Sequence, residues 1–194
     1  MLAVEAYNKV KTLLKKDSTI LDIGSGLDSI FANDSYKVDT FDLKGNPTYK
    51  GDYNDLIVKK KYDCVWASHV LEHQLNVNNF LLKLNSNIKE GGYLAITVPP
   101  PRNLIVGGHL SLWLPGLLLY NLVLANFNCY NAMVKCYDYN ISVIVKKETI
   151  VLPELVYDRG DLKTLSKFLP FGNGINPIDE VYNFQGNFKE INWS

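Results

Sequence analysis

The chain opens with apolar residues at helical spacing. Leu2, Val4, Ala6, Tyr7, Val10, Leu13 and Leu14 predict an amphipathic helix over residues 2–16. From Thr19 the pattern changes to short apolar runs bounded by turn residues. Thr19–Ile23, Lys37–Phe41, Tyr62–Ala67 and Tyr93–Val98 read as strands, and Tyr49–Tyr53 as a short edge strand. Leu27–Ala32 leaves room for only a short helix, whereas Val77–Ile88 carries Phe80, Leu81, Leu84 and Ile88 on one helical face. Gly91-Gly92 is a turn. Pro99-Pro100-Pro101 cannot continue a central strand, and 102–114 is a loop containing Gly107-Gly108-His109. An apolar helix follows over 115–126. Asn131–Cys136 and Ile141–Lys146 then form a strand pair around a turn at Tyr137–Asn140. Asp161–Phe168 predicts a last helix. The rest of 147–194 is rich in Asn, Gly, Pro and aromatic residues, with no clear period.

Strands alternating with helices imply a mostly parallel sheet covered on both faces. With 194 residues, 47% of them hydrophobic and 21% charged, the chain fits one domain with a real core. A net charge of zero argues against a nucleic-acid surface, since that affinity rests on clustered positive charge. Arg102 and Arg159 are the arginines among 20 basic residues, so forked phosphate-binding donors are scarce. Cys64, Cys129 and Cys136 have no metal-ligand spacing and are odd in number, which reads as reduced thiols of a cytoplasmic protein with no metal. Residues 1–16 show no signal-peptide core. The apolar stretch from Leu110 to Phe127 is interrupted by Pro115-Gly116, Asn121 and Asn126. It predicts a buried helix starting at Pro115 and no stable membrane insertion.

The chemistry concentrates in Ile20-Leu21-Asp22-Ile23-Gly24-Ser25-Gly26, followed about twenty residues later by Phe41-Asp42. A strand runs into a glycine-rich turn, and an acid ends the next strand. Such an arrangement holds a nucleoside-containing cofactor across the carboxyl ends of the strands. Gly24 and Gly26 allow close backbone approach. Asp42 is placed to accept ribose hydroxyls, and Leu43 to pack on the base. Dinucleotide sites place a third glycine where this chain has Ser29 and keep the position of Asp22 apolar. A carboxylate at Asp22 can instead pair with an ammonium group, directly or through water.

With its acidic-x-Gly-x-Gly opening, the sequence resembles the class I S-adenosylmethionine-dependent methyltransferases. A second stretch, Tyr62-Asp63-Cys64-Val65-Trp66-Ala67-Ser68-His69-Val70-Leu71-Glu72-His73, is similar to the fourth-strand motif of the branch acting mainly on small molecules. Gly91-Gly92-Tyr93-Leu94-Ala95-Ile96-Thr97-Val98-Pro99 matches that branch's next turn and strand, so the likeness spans roughly residues 18–100. Asp28 departs from it, standing where many members carry a third glycine. It can point outward or cap residues 29–32.

The resemblance implies an α/β, Rossmann-like, doubly wound and mostly parallel seven-stranded sheet. It ends in a C-terminal antiparallel hairpin within a three-layer α/β/α architecture. Residues 1–147 would form the cofactor-binding domain and 148–194 an extension packed on it. The implied cofactor is S-adenosylmethionine, contacted by Asp22, Gly24, Ser25, Gly26, Asp42, Leu43, Asp52, Tyr53, Ser68 and His69.

The acceptor would be a small molecule, a metabolite or sugar-type building block. His109 and His73 are the candidate bases, because a neutral imidazole suits proton removal near neutral pH. Arg102 and Trp113 are candidates for acceptor contact. The tail aromatics Tyr182, Phe184, Phe188 and Trp193 are expected to pack onto the domain, with a lid or a homodimer contact as the sharper alternative. Three rival functions remain open from sequence: a nicotinamide-dependent oxidoreductase, a cofactor-binding module without catalysis, and a lipid-acting enzyme docking through Leu110–Leu119.

Overall fold

The computed structural model describes residues 3–172, 175, 177–178 and 182–194, so Leu2 lies outside the described residues. Helix α1 (Val4–Leu13) leads into β1 (Thr19–Ile23), β2 (Lys37–Asp42), β3 (Tyr49–Lys50) and β4 (Tyr62–Ser68). A 3-10 turn at Leu71–His73 precedes α2 (Val77–Ser86), β5 (Ile88–Val98), α3 (Pro115–Leu124), β6 (Met133–Tyr137) and β7 (Asn140–Lys146). The last segments are α4 (Asp161–Leu165), running into a 3-10 turn at Ser166–Phe168, then β8 (Pro177–Ile178), β9 (Asn183–Phe184) and β10 (Glu190–Ile191).

The main sheet has eight strands in the order β10-β6-β7-β5-β4-β1-β2-β3. The pairs among β1 to β5 are parallel, while β5 with β7 and β7 with β6 are antiparallel. The predicted hairpin therefore closes one side of the sheet. The expected strand count of seven is exceeded by β10, which pairs Ile191 with Val134 at the edge. Two residues carry no readable period, so this strand exists only through its partner.

Alternation within each strand sorts the core onto two faces. Leu21, Ile23, Val65, Ala67, Ile96 and Val143 pack toward α2 and α3. Ile20, Cys64, Trp66, Ala95 and Ile144 pack toward Ala3, Ala6 and Val10 at and beside α1. Helix α3 is an interior helix, with Leu118, Leu119, Leu122 and Val123 all fully buried. Among the described residues no helix is long and apolar enough to cross a membrane.

Three local expectations are corrected. Leu27–Ala32 forms consecutive turns and not a helix. Phe31 is drawn fully into the core there, with its ring centroid 5.3 Å from Trp66 and 5.4 Å from Tyr7. That anchor fixes the segment before a helical turn can close, and Asp28 simply points to solvent. Helix α2 stops at Ser86, two residues short of the prediction, because Asn87 caps it. Finally, Gly91-Gly92 lies inside β5, not between elements, and the β4–β5 register shifts across Tyr62 and Cys64 to absorb it.

Asn87 ties the layers together. Its buried amide donates to the Val58 carbonyl at 2.7 Å and the Lys60 carbonyl at 3.1 Å, and accepts from the Tyr53 hydroxyl at 2.7 Å. Asn87→Ala would leave these groups unpaired in the core, and a loss of about 2 kcal/mol is expected in urea unfolding.

The tail crosses the start of α3. A Cβ on Gly116 would meet the Gly186 backbone at 2.7 Å, and the Gly116 N–H donates to the Gly186 carbonyl at 2.9 Å. Phe184 and Phe188 pack on the α3 face, Trp193 on the α1 face, and the Arg159 guanidinium covers the Tyr182 ring at 4.6 Å.

Candidate functional site

The carboxyl ends of β1, β2 and β4 open into a cleft of about 610 Å³. Gly24, Asp42, Leu43, Asp52, Tyr53, His69 and His73 all line it. Ser25, Gly26 and Ser68 are adjacent in the chain but are not part of that lining.

Gly24 stands at φ +72°, and a Cβ there would collide with Val70 Cγ2. The turn can thus be this tight only without a side chain. At Gly26 a Cβ would meet nothing within 4 Å, so the backbone faces open space. The Gly26 N–H donates to Asp42 Oδ2 at 2.9 Å, and the Lys44 N–H donates to Oδ1 at 2.9 Å. Two backbone donors hold this carboxylate at the end of β2, and each oxygen keeps a further lone pair for a ligand hydroxyl.

Asp52 Oδ1 accepts from the backbone of Asn54 at 2.8 Å and from its side chain at 3.0 Å, which shapes the loop after β3. The Tyr53 ring is nearly buried between Phe41 at 5.1 Å and Phe80 at 5.5 Å. Lys83 Nζ donates to the Tyr53 carbonyl and secures the same loop from below.

Asp22 lies elsewhere. It is 3% exposed and absent from the cleft lining. Burial pushes its carboxyl from the ordinary 3.8 up to about 6, against the opposing effect of a hydrogen bond from Ser29. The serine at the third-glycine position of a dinucleotide motif is here the partner of that carboxylate.

Past β4 the chain turns sharply at His69, with φ +56°, and its N–H donates to the Thr97 carbonyl at 2.8 Å. The His69 ring sits between Asn140 Oδ1, 2.9 Å from Nε2, and Glu72 Oε1, 3.3 Å from Nδ1. The Glu72 carboxylate raises its pKa above the usual imidazole range, against burial. Tyr139 stacks on His69 at 6.3 Å, and the Arg102 guanidinium covers Tyr139 at 3.9 Å.

A second pocket of about 230 Å³ is lined by Arg102, His109, Tyr139 and apolar residues of the 104–112 loop. His73 and His109 meet edge to face at 5.1 Å, so the two pockets share a wall of imidazole. Trp113 borders neither pocket. At 2% exposure it belongs to the core beside α3, which corrects its expected contact with the acceptor. Its large apolar surface is satisfied inward.

Glu72, Tyr139 and Asn140 are the site-forming residues that sequence reasoning left without a role. Glu72 stood in the Val-Leu-Glu-His motif as a signal. Asn140 and Tyr139 sit at the β6–β7 turn, distant in sequence, and only the antiparallel pairing of β7 with β5 brings them to His69. The cysteines play no part in either pocket. Cys64 and Cys129 are buried, and burial raises the Cys136 thiol to about 11.

Residues 3–123 match the family described as methyltransferase domain. Among solved structures, one similar chain is an S-adenosylmethionine-dependent methyltransferase from Aquifex aeolicus, with 17% identity, a TM-score of 0.56, and coverage of 74% of this chain and 91% of that one. A second is the 1,6-didemethyltoxoflavin-N1-methyltransferase of Burkholderia thailandensis, bound to its acceptor and S-adenosylhomocysteine, with 15% identity, a TM-score of 0.60, and coverage of 75% and 77%. A third, an S-adenosylmethionine-dependent methyltransferase from Archaeoglobus fulgidus, has 19% identity, a TM-score of 0.56, and coverage of 74% and 93%. No curated protein matches the chain.

Proposed function

The chain belongs to the methyltransferase-domain family, and from that premise we propose that it transfers a methyl group from S-adenosylmethionine to a small acceptor. The observation that carries this reading is Asp42, held by the Gly26 and Lys44 amides at the mouth of the larger cleft. A carboxylate oriented this way suits the two ribose hydroxyls of the donor. Leu43 and Tyr53 offer apolar surface for its base, and Asp52 an acceptor for an exocyclic amino group. The open backbone at Gly26 leaves room for the amino-acid portion.

S-adenosylmethionine supplies a methyl group already activated on a sulfonium centre, so the protein's work is alignment and exclusion of water. In the transfer a bond forms from the acceptor heteroatom to the methyl carbon as the carbon–sulfur bond breaks, and the acceptor's proton leaves. His73 and His109 stand where the two pockets meet, and either imidazole suits receipt of that proton. His73 Nδ1 is 2.7 Å from the Gly108 carbonyl, to which it donates, and this leaves Nε2 with the free lone pair. His69 lines the cleft beyond β4, and Ser25 and Ser68 lie beside lining residues in the chain. Asp22, buried just before the turn, pairs with Ser29 just after it.

The second pocket supports an acceptor with an apolar body, since Leu104, Ile105, Val106, Leu110 and Leu112 line it, with Arg102 for a negative group at the rim. That lining favours a flat or aliphatic metabolite over a sugar-type compound.

Calorimetric titration tests the reading. Saturable binding of S-adenosylmethionine and S-adenosylhomocysteine, but not of NAD, is expected. Asp42→Ala should weaken both by about 10- to 100-fold, the worth of hydrogen bonds to a charged group. Binding of NAD alone, or of S-adenosylmethionine with undiminished affinity by Asp42→Ala, would overturn it.

A further inference from the structure

We propose that Glu72, His73 and His109 form a binding site for a divalent d-block cation at the junction of the two pockets. Nothing in the amino-acid spacing announces it. The three cysteines are scattered, and His109 is far from the Glu72-His73 pair in the chain. The loop after β5 folds back and closes that distance, with the Leu110 N–H donating to the Glu72 carbonyl at 2.7 Å. One ligand atom from each of Glu72, His73 and His109 then lies within 4.8 Å of the other two.

Three observations point to a ligand there. First, Glu72 is fully buried, and neither of its carboxylate oxygens receives a hydrogen bond. Buried carboxylates are paired, hydrogen-bonded or bound to metal. His69 Nδ1, at 3.3 Å from Oε1, offers an ion-pair contact to one oxygen and leaves the other without a partner. His73 Nε2, at 3.8 Å from the same Oε1, is beyond hydrogen-bond distance.

Second, the His73 ring is oriented as metal-binding imidazoles are. Its Nδ1–H donates to the Gly108 carbonyl at 2.7 Å, which fixes the tautomer and turns the Nε2 lone pair toward Glu72 and His109. The same carbonyl belongs to the residue before His109, so one hydrogen bond positions two donors. A Cβ on Gly108 would come 3.2 Å from His73 Nδ1, so this approach depends on the glycine.

Third, the donor set itself is selective. Two imidazoles and one carboxylate are borderline ligands suited to zinc and neighbouring d-block ions, whereas calcium and magnesium prefer all-oxygen shells. Around a tetrahedral ion with bonds of about 2.0 Å, donors stand about 3.3 Å apart, so Glu72 and His73, 3.8 Å apart, must close by about 0.5 Å and the widest pair, within 4.8 Å, by at most about 1.5 Å. His73 and His109 are not buried and can rotate to do so, while Glu72 stays put.

The proposal concerns the acceptor side of the reading above and rests on it only for its use: with the ion bound, His73 and His109 would serve as its ligands instead of as bases, and the cation would orient an acceptor oxygen or nitrogen and ease the loss of its proton. The binding itself is tested without methyl transfer. The 194-residue chain, stripped with chelator, is titrated with Zn²⁺ in a competition assay and with Co²⁺ by visible absorption. One equivalent of each ion should bind, and bound Co²⁺ should show intense d–d bands in the visible. His109→Ala, on a loop outside the core, should weaken binding by about 10-fold or more, as should Glu72→Gln, and excess Mg²⁺ should not compete.

The absence of saturable binding, or stoichiometric binding that His109→Ala leaves unchanged, would overturn the site. Circular dichroism confirms that each variant is folded, so loss of binding is separated from loss of structure. S-adenosylmethionine binding is measured on the same stripped protein. Its failure would strike the methyl-transfer reading and leave the metal site standing, and the reverse result would strike the metal site alone.

Discussion

Asp22→Asn is expected to stabilise the protein by about 3 kcal/mol at pH 8 and to leave it nearly unchanged at pH 3.5. The folded-state pKa of Asp22 is raised from 3.8 to about 6, chiefly by burial. A raised carboxyl pKa means that the folded state prefers the neutral acid. The associated stability is fully present below 3.8 and lost as the pH rises through about 6. At 1.36 kcal/mol per pKa unit, the ionised form costs about 3 kcal/mol, and asparagine avoids it at every pH. Urea unfolding of both proteins between pH 3.5 and pH 8 checks this: the gain should grow across that window and level off above pH 6. A gain independent of pH would show that the ionisation of Asp22 is not its source, and a loss at pH 8 would show that Asp22 stays ionised with a compensating partner. Binding measured on the same variant carries the functional side. A stabilised Asp22→Asn with weakened S-adenosylmethionine affinity would mark Asp22 as a residue kept for function at the expense of stability.

Gly24→Ala is expected to be the most damaging single-methyl change in the cleft. Two penalties add. The positive φ of +72° costs a non-glycine residue about 1–2 kcal/mol. The new Cβ collides with Val70 Cγ2, and overpacking of that kind costs about 1–3 kcal/mol. A total loss of about 2–5 kcal/mol should appear in urea unfolding. The strain falls on the cleft wall as well, because Val70 lines it and the Gly24 N–H donates to the Phe41 carbonyl at 2.8 Å. Relief by moving Val70 narrows the cleft, and relief by moving the turn withdraws Gly26 from Asp42. Either way S-adenosylmethionine affinity should fall by 10-fold or more, which calorimetry would detect. Gly26→Ala is the control. It shares the positive φ of +68° but meets no neighbour within 4 Å, so it should show the backbone penalty without the steric one. Equal losses in the two variants would refute the collision with Val70 as the cause.

Much of the fold was legible because local periodicity and global packing agree over residues 19–98. β1 has the bounds its apolar run predicts, and β2 and β4 differ from theirs by a residue. β1 and β4 are buried on both faces, so their apolar runs are nearly continuous and bounded by turn residues. The gathering of residues at the larger cleft was legible for a related reason. They sit at or just past strand ends, where sequence position and spatial position coincide, and Gly24, Asp42, Asp52 and His69 line one cavity.

The exceptions share a cause as well. Leu27–Ala32 carries a helical pattern, but Phe31 gains more from the aromatic cluster of Tyr7, Tyr36 and Trp66 than a single helical turn offers. Asp22 reads as a ligand-facing acid by motif. The structure buries it beside Ser29, outside the lining of the cleft, a depth that no pattern along β1 announces.

The sequence by itself determined the layer order, the glycine turn, the acid at the end of β2 and the interior nature of α3, since each depends on neighbours a few residues apart. Tertiary structure alone decided the eighth strand, the inward turn of Trp113, the His69–Asn140 pairing and the gathering of Glu72, His73 and His109. These depend on loops closing across tens of residues. Such contacts leave no period in the chain, because their stability comes from the partner and not from the segment itself.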